Sequence, residues 1–133
     1  MKMKGEKMSV TKITRIMILI GNDDVNLTFR AILTASDHKI RIYSFNDCIE
    51  ALQEFRPNFY DLIILDFMMP KINGFEFYDI VKILDDQVKF CFVTTTSKDV
   101  IKKAYPEVKT DRLLNVPVTK EELVKETEEI LGP

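Results

Sequence analysis

The stretch Asp66-Phe67-Met68-Met69-Pro70-Lys71-Ile72-Asn73-Gly74 follows directly on the apolar run Leu62-Ile63-Ile64-Leu65. It places a carboxylate at the lip of what reads as a buried strand, with a Pro-containing turn behind it. Other apolar runs end in comparable polar groups. Ile16-Met17-Ile18-Leu19-Ile20 leads into Gly21-Asn22-Asp23-Asp24, residues 90–93 lead into Thr94-Thr95-Thr96, and a weaker run ends at Asn115-Val116-Pro117. If these ends share one edge of a sheet, carboxylates from two strands meet there and repel unless protons or a cation intervene. Hard oxygen donors that include two carboxylates suit Mg²⁺, which keeps several of its waters. Each group also has a plainer use. Asp23 or Asp24 suits a helix N-cap, a lone Asp66 suits a turn, and the threonines suit a strand. The coincidence of several run ends is what argues for a site.

The elements that would carry these residues alternate in period. Residues 16–20, 62–65 and 90–93 are short, continuous and apolar, as expected of strands buried on both faces. Residues 39–45 alternate, with Ile40 and Ile42 between Lys39, Arg41 and Tyr43, and residues 111–116 form a weaker fifth strand. Between them lie helical patterns. Leu27, Ala31, Ile32 and Ala35 recur over residues 25–36, and Phe77, Ile80, Val81 and Leu84 over residues 74–84. Asn46 is placed to cap a helix running to Phe55 before Pro57, and a short helix over residues 98–105 stops at Pro106. Thr119 and Glu122 form a capping box for a last helix carrying Leu123, Thr127, Ile130 and Leu131. Strands alternating with helices predict a doubly wound α/β unit, a five-stranded parallel sheet with helices on both faces.

The totals agree with one domain. The chain has 133 residues, 46% hydrophobic and 30% charged, with a formal net charge of -2. Neither nucleic acid nor an anionic membrane is called for by that balance, and no apolar stretch reaches the ~18 residues of a membrane span. Residues 1–13, with Lys2, Lys4, Lys7 and Lys12, read as a flexible basic tail without the apolar core of a signal peptide. Cys48 and Cys91 lack metal or redox spacing and read as small buried hydrophobes in a reducing cytoplasm. His38 reads as surface, and Phe75, Phe77 and Tyr78 as packing of the third helix. A dinucleotide site is excluded by the absence of G-x-G-x-x-G after the first strand, and no P-loop is present.

Over residues 14–131 the chain resembles the receiver domain of two-component response regulators, a CheY-like, flavodoxin-like fold. The most specific piece is D-x-x-M-P-x-x-x-G, from Asp66 to Gly74. The resemblance implies that Asp66 is the phospho-acceptor, Thr94 the switch hydroxyl, and Gly74 the turn residue opening the third helix. It implies an Mg²⁺ site built by Asp23, Asp66 and the backbone carbonyl of Met68, with Asn22 acting through water. Pro117 falls where the family has a cis peptide bond. Partners implied are a sensor histidine kinase or phosphotransfer protein and a downstream protein target, with a possible homodimer through the fourth-helix side. No enzymatic turnover beyond self-phosphorylation and self-dephosphorylation is implied.

Four positions depart from the family pattern. Val116 stands where a lysine contacts the phosphoryl group, and Asn22 replaces the first acid of the pair. Lys71 and Lys98 are the lysines of neighbouring loops that could substitute. Leu113 replaces an aromatic switch residue, and Thr95 narrows the approach to Asp66. The alternative function is a degenerate receiver, an interaction module independent of phosphorylation. Aspartyl-phosphate hydrolases resemble the chain less, because their D-x-D follows the first strand.

Overall fold

The computed structural model describes residues 12–69, 71–107 and 112–132. Ten elements alternate: β1 (Thr14–Leu19), α1 (Asp23–Ser36), β2 (Ile40–Phe45), α2 (Cys48–Glu54), β3 (Leu62–Asp66), α3 (Gly74–Leu84), β4 (Lys89–Thr94), α4 (Lys98–Ala104), β5 (Leu113–Asn115) and α5 (Lys120–Leu131). The five strands pair in parallel in the order β2-β1-β3-β4-β5. The doubly wound sheet expected from the alternation is therefore present. The order reverses between β1 and β3, and the crevice beyond the carboxyl ends of such strands is where α/β sheets bind ligands. Of the expected tail, residues 1–11 lie outside the described residues.

Two apolar layers follow from strand alternation. On one face Leu19, Leu65 and Phe92 pack with Phe77 and Val81 of α3 and Ile101 of α4. On the other, Ile18, Ile64 and Val93 pack with Phe29 and Leu33 of α1 and Leu123 of α5. Among the described residues no helix is long and apolar enough to cross a membrane.

Several local readings need correction. α1 does not bury the stripe Leu27, Ala31, Ile32, Ala35: Leu27 is 64% exposed, and the buried residues are Asn26, Phe29 and Leu33. The buried face is the more apolar one, Phe29 and Leu33 with Val25 and Ile32 packed beside them. On the same face Asn26 donates its amide to the carbonyls of Ile20 (3.0 Å) and Phe45 (2.9 Å), where two strands end. On α3, Phe77 and Val81 are buried while Ile80 and Leu84 are partly exposed.

The caps shift as well. Asn22, not Asp23 or Asp24, caps α1 by accepting from Val25 N at 3.0 Å, and Asp47, not Asn46, caps α2 by accepting from Glu50 N. The expected box of Thr119 and Glu122 is present, and a second joins Asn73 and Glu76 at α3. β5 is shorter than residues 111–116, and Asp111 lies outside the described residues.

Candidate functional site

Asp66 ends β3 with Leu65 paired to Leu19 of β1 and Asp66 itself paired to Val93 of β4. Its half-buried carboxylate accepts from Met68 N at 3.1 Å and from the backbone N–H of Gly21. The Gly21 contact crosses the switch point between β1 and β3. Burial raises the Asp66 pKa above the ordinary aspartate range, with the two N–H donors opposing that rise. No cation contributes, and among the described residues no lysine pairs with Asp66.

The turn behind Asp66 is held by backbone proximity. Gly74 N donates to Phe67 O at 2.8 Å, and a Cβ at Gly74 would lie 2.7 Å from the backbone oxygen of Asp66. Gly74 is therefore required by close approach. Its φ is not positive, unlike that of Lys71 at 73°. Phe67 places its ring 5.0 Å from Tyr105, whose hydroxyl meets the Asn73 amide at 3.1 Å. These contacts tie the Asp66 turn to the starts of α3 and the end of α4.

The first-strand residues are arranged differently from the expectation. Asp23 is exposed, and its carboxylate accepts from Asn46 Nδ2 at 2.9 Å across to the end of β2. Asn22 spends one lone pair of its amide oxygen on the α1 cap. Both remain at the switch-point edge, but among the described residues no group of three acidic, His or Cys side chains stands close enough to form a ready metal cluster. The oxygens of Asp66, Asp23 and Asn22 stand at this edge, and Asp66 is a desolvated carboxylate without a counter-charge among the described residues. That chemistry fits a hard divalent cation which retains waters.

Thr94 closes β4 and is 1% exposed. Its Oγ1 accepts from Thr96 N at 3.0 Å, and its carbonyl accepts from Val116 N at 2.9 Å. Val116 is half-buried and packs against the layer under α1 and α5, so the position expected to carry an ammonium instead carries an apolar side chain turned to that layer. Of the alternative lysines, Lys71 Nζ pairs with Asp47 at 2.9 Å, where the cap bond from Glu50 and then this contact lower the Asp47 pKa, and Lys98 is exposed on α4. Thr95 is exposed, and Leu113 is buried in the α3/α4 layer. The Val116–Pro117 peptide is cis, as the resemblance implies.

Three contributors escaped the reading of the sequence: the Gly21 N–H on Asp66, Asn46 on Asp23, and Asn115, whose amide bonds the loop after β4. Backbone donors leave no mark in residue types. For the two asparagines the only signal is a side-chain amide at a strand's carboxyl end.

With this geometry in place the comparisons define the class. The model of the response regulator receiver domain matches residues 17–128. The chain belongs to that family: it is a receiver domain of two-component response regulators. It is 30% identical over 120 residues to the transcriptional regulatory protein RprY of Bacteroides fragilis, covering 88% of this chain and 50% of that protein. It is 28% identical over 114 residues to a CpxR homolog of Haemophilus influenzae, covering 86% and 49%. The chain thus spans about half the length of the curated relatives it matches. The non-phosphorylated receiver domain of HemR from Leptospira biflexa has the same fold, with a TM-score of 0.73 at 20% identity over 90% of this chain and 95% of that one.

Proposed function

We propose that Asp66 is the phospho-acceptor of this receiver. A carboxylate oxygen attacks the phosphorus of a phosphohistidine on a sensor histidine kinase or phosphotransfer protein. The P–N bond breaks, its electron pair leaves with the imidazole nitrogen, and an aspartyl phosphate forms. The observation that carries this reading is the carboxylate at the β3 edge, presented by two backbone N–H groups and, among the described residues, without a neighbouring cation.

Asp23, Asp66 and the carbonyl of Met68 would hold Mg²⁺, with Asn22 reaching it through a water. When bound, the ion offsets charge on the transferring oxygens. Asp23 keeps one carboxylate oxygen beyond its bond from Asn46, and Asn22 keeps one lone pair beyond its cap. Thr94 supplies the hydroxyl that binds the phosphoryl group, and its movement biases the α4–β5 face toward a downstream protein. The domain works by altered binding, with only its own phosphorylation and dephosphorylation as chemistry. Two buried free thiols support a cytoplasmic location.

Intact-protein mass after incubation with acetyl phosphate and Mg²⁺ tests this. One phosphoryl adduct is expected, dependent on Mg²⁺ and lost in Asp66→Ala. No adduct under conditions that label an ordinary receiver would leave a receiver fold acting as a phosphorylation-independent binding module.

A further inference from the structure

Residues 95–97 join β4 to α4, and their conformation is set from β5. Asn115 Nδ2 donates to Thr96 O at 2.6 Å and approaches Thr94 O at 3.5 Å. Thr94 O already receives the backbone donor of Val116, so its place does not depend on the side chain. Thr96 O is different: among the described residues its donor is Asn115. Thr96 is also the residue whose N–H engages the Thr94 hydroxyl at 3.0 Å. One amide side chain therefore holds the carbonyl of the residue whose amide holds Thr94.

We infer that Asn115 is a positioning residue for phosphotransfer, fixing the β4–α4 loop so that the Thr94 hydroxyl stays turned to Thr96 until Asp66 is modified. The inference rests on the roles proposed above for Asp66 and Thr94. The Thr94 oxygen accepts from the Thr96 N–H and keeps its own proton to donate, so any rotation of the hydroxyl toward a phosphoryl group draws on the Thr96 bond. Thr96 cannot shift freely while its carbonyl is held at 2.6 Å. Val116 cannot supply an opposing pull, because its side chain is apolar and packed against the core. The resting arrangement is thus favoured by Asn115, and the reactive arrangement is a minor population whose size sets the apparent response to phosphodonor.

Two variants separate hydrogen bonding from packing. Asn115→Asp keeps the shape but loses the N–H donors, and Asn115→Ala loses both. Hydrogen exchange is followed by NMR in the unmodified full chain, at the Thr96 and Val116 amides and at β1 and β3. Acetyl phosphate is then titrated with Mg²⁺ and labelling read by intact mass. Both variants are expected to speed exchange at Thr96 about tenfold, the size of one net hydrogen bond, with Val116, β1 and β3 unchanged. Both should also reach half-maximal labelling at several-fold lower acetyl phosphate, with labelling still abolished by Asp66→Ala.

Unchanged loop exchange would overturn the inference, as would loosening in Asn115→Ala alone, which would mark a space-filling role. Faster exchange throughout the sheet would make Asn115 general fold support and overturn it too. Faster loop exchange with an unchanged labelling midpoint would sever the loop from phosphotransfer. If the parent itself takes no phosphoryl group, the proposed function fails, while the exchange arm still decides by itself whether Asn115 holds the loop.

Discussion

The Asp66 carboxyl is half-buried, with two backbone N–H groups and, among the described residues, no cation beside it. Desolvation outweighs those donors, so its folded-state pKa is raised. A carboxyl with a raised folded pKa binds its proton more tightly folded than unfolded. Stability then falls as pH rises from the ordinary aspartate range through the raised value, and the penalty is full above it. Asp66→Asn removes the charge while keeping an oxygen for Gly21 and Met68. The variant should be more stable than the parent at pH 7 without added Mg²⁺, and its advantage should shrink as pH drops through that window. Urea melts at a series of pH values decide this, and a less stable Asn variant at pH 7 would contradict the electrostatic account. The neighbouring thiol is affected too, since burial first and then the charges of Asp47, Asp66 and Glu76 push Cys48 up to about 11. Cys48 should therefore resist thiol reagents in the native state.

At the scale of elements, the site depends on how closely chain segments approach. The turn after β3 folds back until Gly74 meets the backbone of Asp66 and Phe67. Gly74→Ala would put a Cβ against backbone that cannot rotate aside. A loss of about 1–3 kcal/mol is expected, together with slower labelling of Asp66 because its own peptide must move. A variant as stable and as readily labelled as the parent would show that the turn has slack. The orientation of α1 is a second such dependence. Asn26→Ala would leave the carbonyls of Ile20 and Phe45 without the buried amide that serves both. The expected cost is about 1–3 kcal/mol, measured by denaturant unfolding. Leu27→Ala, on the expected stripe but exposed, should change little.

At the scale of the molecule, the sheet and its two apolar layers form the frame on which these loops sit. Phe77 is fully buried between α3 and the sheet, whereas Ile83 of the same helix is 85% exposed. Phe77→Ala should cost about 3–5 kcal/mol, and Ile83→Ala should stay within ~0.5 kcal/mol. Urea unfolding with matched slopes would separate the two, and comparable losses would mean that α3 packs differently. The ring of Phe67, next in chain to Asp66, packs on Tyr105 at the end of α4, so the Asp66 loop and that helix are mechanically joined.

Much of this molecule follows from its sequence alone, and the reason is local. Continuous β-branched runs, helical spacing, and the pair Thr119 and Glu122 are encoded within a few residues, so the alternating elements and the parallel sheet were legible. So was Asp66, because D-x-x-M-P-x-x-x-G marks a carboxylate at a strand end and a tight return. What tertiary structure decided were choices between residues competing for partners distant in sequence. Asn26, beside Phe29 and Leu33 on the buried face of α1, went to two strand carbonyls that needed donors. Lys71 went to Asp47, Asn46 to Asp23, and Asn115 to the loop after β4. A side-chain amide or ammonium can serve any acceptor within reach, and only the packed sheet determines which acceptors those are.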